Sequence, residues 1–183
     1  MNFKFSIKEM SIVAIFTALT AVMAQISIPL PFSPVPITFQ VFAVFLCAII
    51  LDSRLATTSQ IIYVLLGAIG IPVFANFSGG LPYIVGPTGG FIVSFPIIAF
   101  IASKTSENKN SLLVKILGLI TALIVCYFLG IIQLSFITKM SISKSIMVMV
   151  PYIALDAIKI SLAYILGVKI KKTLKKANLY TLH

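Results

Sequence analysis

Long uncharged stretches alternate along this chain with short segments that hold most of its charged residues. A helix that crosses the ~30 Å hydrocarbon core of a membrane needs about 20 mainly apolar residues, and six stretches approach or exceed that length. We therefore predict six membrane-spanning helices, at residues 9–28, 37–51, 55–71, 84–102, 112–136 and 151–171. The expected fold class is an all-α integral membrane protein, with one domain over residues 1–183.

The composition agrees with this pattern. Of the 183 residues, 60% are hydrophobic and only 10% are charged, and the mean hydropathy is +1.13. A soluble domain is about 45–50% apolar and about 25% charged. Because six helices use most of the chain, no separate soluble domain is expected.

The distribution of Lys and Arg predicts the orientation, because cytoplasmic loops are enriched in these residues. With six helices both termini lie on one side, together with eleven basic residues: Lys4, Lys8, Arg54, Lys104, Lys109, Lys115, Lys169, Lys171, Lys172, Lys175 and Lys176. The opposite side has Lys139 and Lys144. We expect cytoplasmic termini, a retained first helix rather than a signal peptide, and a basic tail that contacts anionic lipid in the plasma membrane rather than nucleic acid.

Two of the outward connections have an unusual composition. Residues 28–40, the Pro-rich segment, contain four prolines and no charge. Four fixed φ angles predict a stiff, extended lid over the outer helix ends. Residues 70–90, the Gly-rich segment, hold six of the ten glycines, which allow close backbone approach to a ligand. This second segment is either a binding loop or a structural re-entrant loop.

Asp156 and Lys159 are charged residues inside the last hydrophobic stretch. Residues three apart share one helix face, so the carboxylate and the ammonium can point together into the bundle. Ionisable groups at membrane depth are costly unless paired, and they typically mark a substrate or ion site. The alternative is a salt bridge that only fixes helix packing. If the helix begins at Pro151, the pair lies roughly 8 to 12 Å below its outer end, as the floor of a pocket.

The residue inventory argues against catalysis. The only histidine is His183, and no metalloprotease or serine-hydrolase motif occurs. Cys47 and Cys126 lack metal-ligand spacing and are expected to be packing residues. The predicted spans lack the ring of charges that would indicate a channel. The chain also lacks a clear inverted repeat of the secondary-transporter kind and an ATPase motif, so its own sequence indicates no source of energy. We expect an uptake protein without catalytic residues, metal or cofactor, and one energised by other subunits.

Four motifs resemble the BioY family, the biotin-specific substrate-binding (S) components of energy-coupling-factor (ECF) transporters. They are Pro34-Val-Pro-Ile-Thr-Phe-Gln40, Leu66-Gly-Ala-Ile-Gly-Ile-Pro-Val-Phe-Ala75 with Phe77-Ser-Gly-Gly80, Gly86-Pro-Thr-Gly-Gly-Phe91, and Asp156-x-x-Lys159. The resemblance covers essentially the whole chain, and the motifs follow the family's order.

The resemblance implies a six-helix S component that binds biotin near the extracellular face. It also implies a transmembrane coupling subunit of the EcfT type and two ATPase subunits as partners. In that scheme Ala14 and Ala18 match a small-residue motif on helix 1 that contacts the coupling subunit. Alanines four apart allow close approach of a neighbouring helix, although they also serve packing within a bundle. The oligomeric state, including a homo-oligomer, stays open.

Biotin suits the predicted pocket chemistry, because its ureido ring has two N–H donors and one carbonyl acceptor. Asp156 would accept from N–H, and Lys159 would donate to the carbonyl or to a neighbouring acceptor. Further candidate ligand-binding residues on or beside the two segments, whose alternative is ordinary loop hydrogen bonding, are Gln40, Asn76, Tyr83, Gly86 and Thr88. The role of Asn76 is our inference from its position rather than from the family.

The chain departs from the family before the aspartate. Family members often have Pro-Phe-Ile-Pro-Gly-Asp there, whereas this chain has Pro151-Tyr-Ile-Ala-Leu-Asp156. Losing the second proline and the glycine allows an earlier or more regular helix. Three alternatives remain at this point: a proton-coupled secondary transporter that uses Asp156, an S component for another vitamin, and an assembly protein without a ligand.

Overall fold

The computed structural model describes residues 5–107 and 110–176. Its helices are α1 (Ile7–Gln25), α2 (Gln40–Ile50), α3 (Ser53–Ala68), α4 (Leu81–Val85), α5 (Gly89–Thr105), α6 (Leu112–Thr138) and α7 (Ile142–Lys176). A β-hairpin, β1 (Ser27–Leu30) and β2 (Ser33–Thr38), joins α1 to α2, and a short 3-10 turn covers Ala75–Phe77. Lys4, Lys109 and His183 lie outside the described residues.

The fold is mostly helical, as the hydrophobic pattern predicts. The boundaries differ where turn-forming residues occur. The first predicted span continued to residue 28, but α1 ends at Gln25 because Ser27–Leu30 pair as a strand. The fourth span was predicted to start at residue 84, but the backbone leaves helical geometry at Gly86, and α5 begins at Gly89.

The start of the last helix is a correction. We predicted that it begins at Pro151, yet α7 runs from Ile142 through Pro151 to Lys176. The Ser141 hydroxyl accepts the Lys144 N–H over 3.3 Å and so caps the helix at its first turn. Proline is tolerated inside a helix of a membrane bundle, because the lost backbone hydrogen bond can be compensated by neighbouring groups.

Because α7 begins earlier than predicted, the charged pair lies farther from the start of its helix. Asp156 lies fourteen residues after Ile142 in α7, which is about 21 Å along the helix axis at ~1.5 Å per residue. The predicted depth of 8 to 12 Å was therefore wrong for the distance to the helix end. The pair nevertheless meets the Pro-rich segment, because that segment folds inward as the hairpin.

The hairpin tolerates its prolines because it has only two strands. β1 and β2 are antiparallel, with Ser27 opposite Thr38 and Leu30 opposite Ser33, and the register is irregular between Ile28 and Leu30. A proline cannot donate to a ladder, so it is accommodated on edge strands and at such irregularities. The hairpin ends at Thr38, directly before α2.

Helix α2 lies at the centre of the bundle, where every residue from Phe42 to Leu51 is buried. A helix that is apolar all round must be covered on all sides, and α2 packs against α1, α5 and α7. α5 and α6 approach closely, since a Cβ added at Gly130 would lie 2.2 Å from the Phe91 ring. The Pro-rich and Gly-rich segments are held over this core.

Several helices have the character of membrane spans. Within the described residues, α1, α6 and α7 are long and apolar enough to cross a membrane, and α2 and α5 are shorter apolar helices. Large apolar side chains such as Phe100, Phe128 and Phe136 are exposed on the outer surface of the helices. Such an outer surface suits lipid rather than water.

Candidate functional site

A cavity of about 380 Å³ opens between the hairpin, the Gly-rich segment and helices α2, α5, α6 and α7. Its volume lies within the range of roughly 300–1,000 Å³ that small-molecule sites occupy. All seven residues predicted for ligand binding line it: Gln40, Asn76, Tyr83, Gly86, Thr88, Asp156 and Lys159. The structure therefore brings together residues that are more than 100 positions apart in the sequence, while their roles in binding stay predictions.

Asp156 and Lys159 form an ion pair on one face of α7. The Nζ of Lys159 lies 2.8 Å from Oδ1 of Asp156, and each residue is only 7% exposed. A buried pair of charges is tolerated when further hydrogen bonds satisfy the remaining donors and acceptors. Both residues have such additional partners.

Tyr127 and the backbone of Thr38 supply the additional hydrogen bonds of the ion pair. The Tyr127 hydroxyl, on α6, donates to Oδ2 of Asp156 over 2.8 Å. Nζ of Lys159 donates to the Thr38 carbonyl over 2.7 Å. Sequence reasoning missed both partners, because a tyrosine inside a long apolar helix and a backbone carbonyl leave no distinctive signal in the sequence.

A chain of polar groups extends from Thr38 to the start of the Gly-rich segment. Thr38 Oγ1 donates to Oε1 of Gln40 over 3.0 Å. Nε2 of Gln40 donates to the Tyr63 hydroxyl, which donates to the Val73 carbonyl over 2.9 Å. Gln40 is thus already engaged on both ends of its amide and fixes the inner end of the hairpin.

A second tyrosine ties the hairpin to α7. The Tyr152 hydroxyl donates to the carbonyl of Val35 in β2. Tyr152 lies four residues before Asp156 in α7, so the two side chains share one helix face. The hairpin is therefore attached to α7 at two points, Val35 and Thr38.

The Gly-rich segment forms the other side of the cavity with an unusual backbone. Asn76 and Phe77 have φ angles of 57° and 53°, which L-residues adopt rarely and at a cost of order 1–3 kcal/mol each. Phe74 and Ser78 close this turn with two backbone hydrogen bonds of 2.9 and 3.3 Å. Asn76 lines the cavity at an exposed position.

Tyr83, Gly86 and Thr88 follow on α4 and the turn after it. Tyr83 is 43% exposed, and its ring lies 6.5 Å from that of Phe74. The Thr88 hydroxyl contacts the Tyr83 carbonyl at the long distance of 3.5 Å. These three residues border the cavity while the ion pair lies buried inside it.

The rest of the lining is mainly apolar and aromatic. It includes Phe91, Ile92 and Phe95 of α5 and Met149 of α7. Cys126 also lines the cavity and accepts a hydrogen bond from Ser94 over 3.2 Å. Within residues 5–107 and 110–176, no group of three or more His, Cys, Asp or Glu side chains could hold a metal ion. The cavity suits an organic molecule with an apolar body and a few polar atoms.

Ala14 and Ala18 lie elsewhere. They line an open apolar groove of about 750 Å³ between α1 and α3, together with Val13, Thr17 and Ile62. Both alanines are exposed. The structure therefore separates them from the cavity, and their contact with a coupling subunit stays a prediction.

The profile of the BioY family matches residues 1–176. The chain belongs to the BioY family. A probable biotin transporter BioY of Pyrococcus horikoshii is 42% identical over 164 residues, which cover 90% of this chain and 96% of that protein. The biotin transporter BioY of Thermotoga maritima is 44% identical over 159 residues, which cover 86% of this chain and 92% of that protein.

Two solved structures share the fold of this BioY chain. The fold matches the crystal structure of an S component for biotin from an ECF-type ABC transporter, with a TM-score of 0.82, 26% identity, and coverage of 91% of this chain and 92% of that one. The S component of a bacterial ECF transporter shares the fold with a TM-score of 0.59 at 20% identity, over 96% of this chain and 98% of that one. The resemblance seen in the sequence is confirmed, and this BioY chain is a multi-pass plasma-membrane protein.

Proposed function

We propose that this chain is the biotin-binding S component of an ECF-type vitamin uptake transporter. It captures biotin from outside the cell and delivers it inward with energising partner subunits. BioY membership, relatives named biotin transporter and the likeness to a biotin S component support this function. The chain is a transporter subunit rather than an enzyme.

The observation that carries the proposal is the remaining hydrogen-bonding capacity of the ion pair. A carboxylate has about four lone-pair sites, of which Asp156 uses one on Lys159 and one on Tyr127. A lysine ammonium has about three N–H donors, of which Lys159 uses one on Asp156 and one on Thr38. Acceptor sites and one donor therefore remain for a ligand in the cavity.

The ureido ring of biotin offers the complementary groups. Its N–H groups can donate to Asp156, and its carbonyl oxygen can accept from Lys159. The thiophane ring and the aliphatic chain suit the walls formed by Phe91, Ile92 and Phe95. With the ring beside the pair, the carboxylate tail extends toward Asn76, Tyr83, Gly86 and Thr88, and Gln40 holds the hairpin beside the ring.

For the membrane arrangement we propose six spans formed by α1, α2, α3, α5, α6 and α7, with both termini cytoplasmic. The ends of four chain segments meet at the proposed cytoplasmic end. There the Arg54 guanidinium lies 4.2 Å from the centre of the Phe5 ring, and Lys171 donates to the Ile49 carbonyl over 3.1 Å. The hairpin and the Gly-rich segment then form the extracellular cover of the cavity.

The partners we propose are a transmembrane coupling subunit of the EcfT type and two ATPase subunits. The groove beside Ala14 and Ala18 is the contact that we assign to the coupling subunit, because small exposed side chains let a partner helix approach closely. ATP hydrolysis belongs to the partners. The chain itself needs no cofactor, and biotin is its ligand.

Saturable binding of radiolabelled biotin by the purified chain tests the ligand. Excess unlabelled biotin should displace the label, whereas thiamine and riboflavin should not. Displacement by either of the other vitamins would reassign the ligand. Absence of saturable binding would instead support an assembly protein without a ligand.

Uptake by cells that contain the chain tests the source of energy. Uptake should be lost when the partner ATPases are inactive, and it should survive a protonophore as long as ATP is maintained. The reverse pattern would identify a proton-coupled secondary transporter in which Asp156 is the titrating carboxylate. These two experiments separate the ligand from the coupling mechanism.

A further inference from the structure

Two glutamine side chains from neighbouring helices form hydrogen bonds with the backbone of the Gly-rich segment. Gln25 is the last residue of α1, and Gln133 lies in α6. Both are half-buried, and neither lines the cavity. Among the described residues, both side chains hydrogen-bond only to backbone groups. Those of Gln25 belong to the Gly-rich segment and to α1, and those of Gln133 belong to the Gly-rich segment.

Gln25 engages the strained turn with both ends of its amide. Its Nε2 donates to the Phe74 carbonyl over 3.1 Å and to the Ala21 carbonyl of its own helix over 3.0 Å. Its Oε1 accepts the Phe77 N–H over 2.7 Å. The carboxamide both donates and accepts here, whereas a glutamate side chain of the same length lacks the donor when ionised.

The hydrogen bonds of Gln25 constrain the backbone on both sides of Asn76. Asn76 lies between the two residues that Gln25 holds, and Asn76 and Phe77 both have positive φ angles. Such a backbone conformation persists only when the surrounding contacts enforce it. Losing the Gln25 amide would let the turn relax toward ordinary backbone angles, and Asn76 would move relative to the cavity.

Gln133 holds the other part of the segment. Its Nε2 donates to the Ile84 carbonyl over 2.7 Å and to the Gly86 carbonyl over 2.9 Å. The last carbonyls of a helix have no partner within the helix, so Gln133 satisfies groups at the end of α4. The approach requires Gly89, since a Cβ there would lie 2.5 Å from Nε2 of Gln133.

We propose that Gln25 and Gln133 are positioning residues that hold the Gly-rich segment across the cavity from two sides. They set where Asn76, Tyr83 and Gly86 meet the ligand, and they act through backbone groups without touching it. This inference rests on the proposed biotin site. It adds two residues to that site that lie on α1 and α6, outside the motifs of the segment itself.

Hydrogen exchange of the purified full chain in lipid nanodiscs, without biotin, tests the positioning role directly. Gln25→Met should raise exchange of the Phe74 and Ser78 amides about tenfold, because a lost hydrogen bond weakens the closed turn. Gln133→Met should do the same for the Gly89 amide. Unchanged exchange at these amides in both variants would overturn the proposal.

Gln60→Met is the matched control. Gln60 is fully buried and donates to Thr20 between α3 and α1, away from the Gly-rich segment. This variant should lower the thermal stability while leaving exchange of the segment at the wild-type level. Equal loosening of the segment by Gln60→Met would mean that general destabilisation, rather than positioning, explains the effect.

A double-mutant cycle then links Gln25 to the ligand. Gln25→Met and Asn76→Ala should each weaken biotin binding about tenfold, and the double variant should lose little more than either one. Gln25→Glu, which keeps the acceptor for Phe77, should weaken binding less than Gln25→Met. Additive losses in the cycle would overturn the link through Asn76.

The two proposals fail in different ways. If the wild-type chain binds no biotin, the proposed function is wrong, and the exchange experiment alone decides whether the glutamines hold the segment. If the wild-type chain binds biotin but the glutamine variants bind it equally well, the function stands and the positioning role for the ligand is wrong.

Discussion

Tyr127 on α6 donates its hydroxyl hydrogen to Oδ2 of Asp156 on α7 over 2.8 Å. The bond fixes the carboxylate from a second helix, while Lys159 engages the other carboxylate oxygen from α7 itself. The carboxylate is therefore held in one orientation before a ligand arrives. Such preorganisation reduces the entropy that binding must overcome.

Asp156→Asn should weaken biotin binding about 100-fold, because hydrogen bonds to a charged acceptor are the stronger kind. The fold should persist, since asparagine has nearly the same shape and its oxygen can still accept from Lys159 or Tyr127. Isothermal titration calorimetry measures the affinity. Asp52→Asn is the control, because Asp52 caps α3 outside the cavity and asparagine caps equally well. Unchanged affinity in Asp156→Asn would remove Asp156 from the site.

Tyr127→Phe should weaken biotin binding about tenfold, since it removes one charge-assisted hydrogen bond and leaves the ring in place. Tyr164→Phe, on α7 outside the cavity lining, should bind as the wild type does. Equilibrium binding of labelled biotin gives both constants. An equal loss in the two variants would point to a general effect of removing a hydroxyl.

The double replacement Asp156→Leu with Lys159→Met separates recognition from packing. Apolar residues in place of a buried ion pair are often neutral for stability or stabilising. We therefore expect a folded chain with a thermal midpoint near that of the wild type and no measurable biotin binding. Retained binding would show that the ion pair serves only helix packing.

Gly67→Ala should disturb the cavity through Phe74. A Cβ at Gly67 would lie 2.0 Å from the Phe74 ring. Such overpacking typically lowers the free energy of unfolding by about 1–3 kcal/mol. The midpoint temperature of thermal unfolding and the biotin affinity should both decrease, because Phe74 belongs to the turn that presents Asn76. Gly118 lies near the start of α6, and a Cβ there would clash with Thr105 at the end of α5. Gly118→Ala should therefore lower stability while the biotin affinity is kept. Full affinity in Gly67→Ala would contradict this coupling.

The double replacement Ala14→Leu with Ala18→Leu should abolish biotin uptake by cells, while the purified chain should still bind biotin. The larger side chains would fill the groove between α1 and α3 and keep a partner helix away. Ala154→Leu is the matched control, because Ala154 is exposed on α7 and lies outside that groove. Co-purification with the coupling subunit measures the contact. Normal uptake in the double variant would rule out this surface.

The sequence allowed a large part of the helical architecture to be predicted, because hydrophobicity along the chain depends on local residues alone. It failed where local signals compete. Pro151 resembled a helix start, yet α7 begins at Ile142. Ile26 and Ile28 continue the apolar character of the helix before them, and strand pairing of Ser27 and Ile28 with Thr38 and Ile37 decides the local conformation.

The sequence also indicated which residues meet in the cavity, since the Pro-rich segment, the Gly-rich segment and the charged pair are each unusual in composition. It did not indicate Tyr127, the Thr38 carbonyl, Gln25 or Gln133. A tyrosine or glutamine within an apolar helix has many equivalent environments in a sequence. Its partner is known only when the neighbouring helix and its rotation are known.

The sequence by itself determined that this chain enters a membrane, and that Asp156 and Lys159 share a helix face, because both properties follow from residue type and spacing. Only the tertiary structure decided how the pair is satisfied. Packing of α6 against α7 supplies the hydroxyl of Tyr127, and the inward fold of the hairpin supplies the Thr38 carbonyl. Hydrogen bonds between distant segments depend on positions in space, which residue spacing along the chain does not specify.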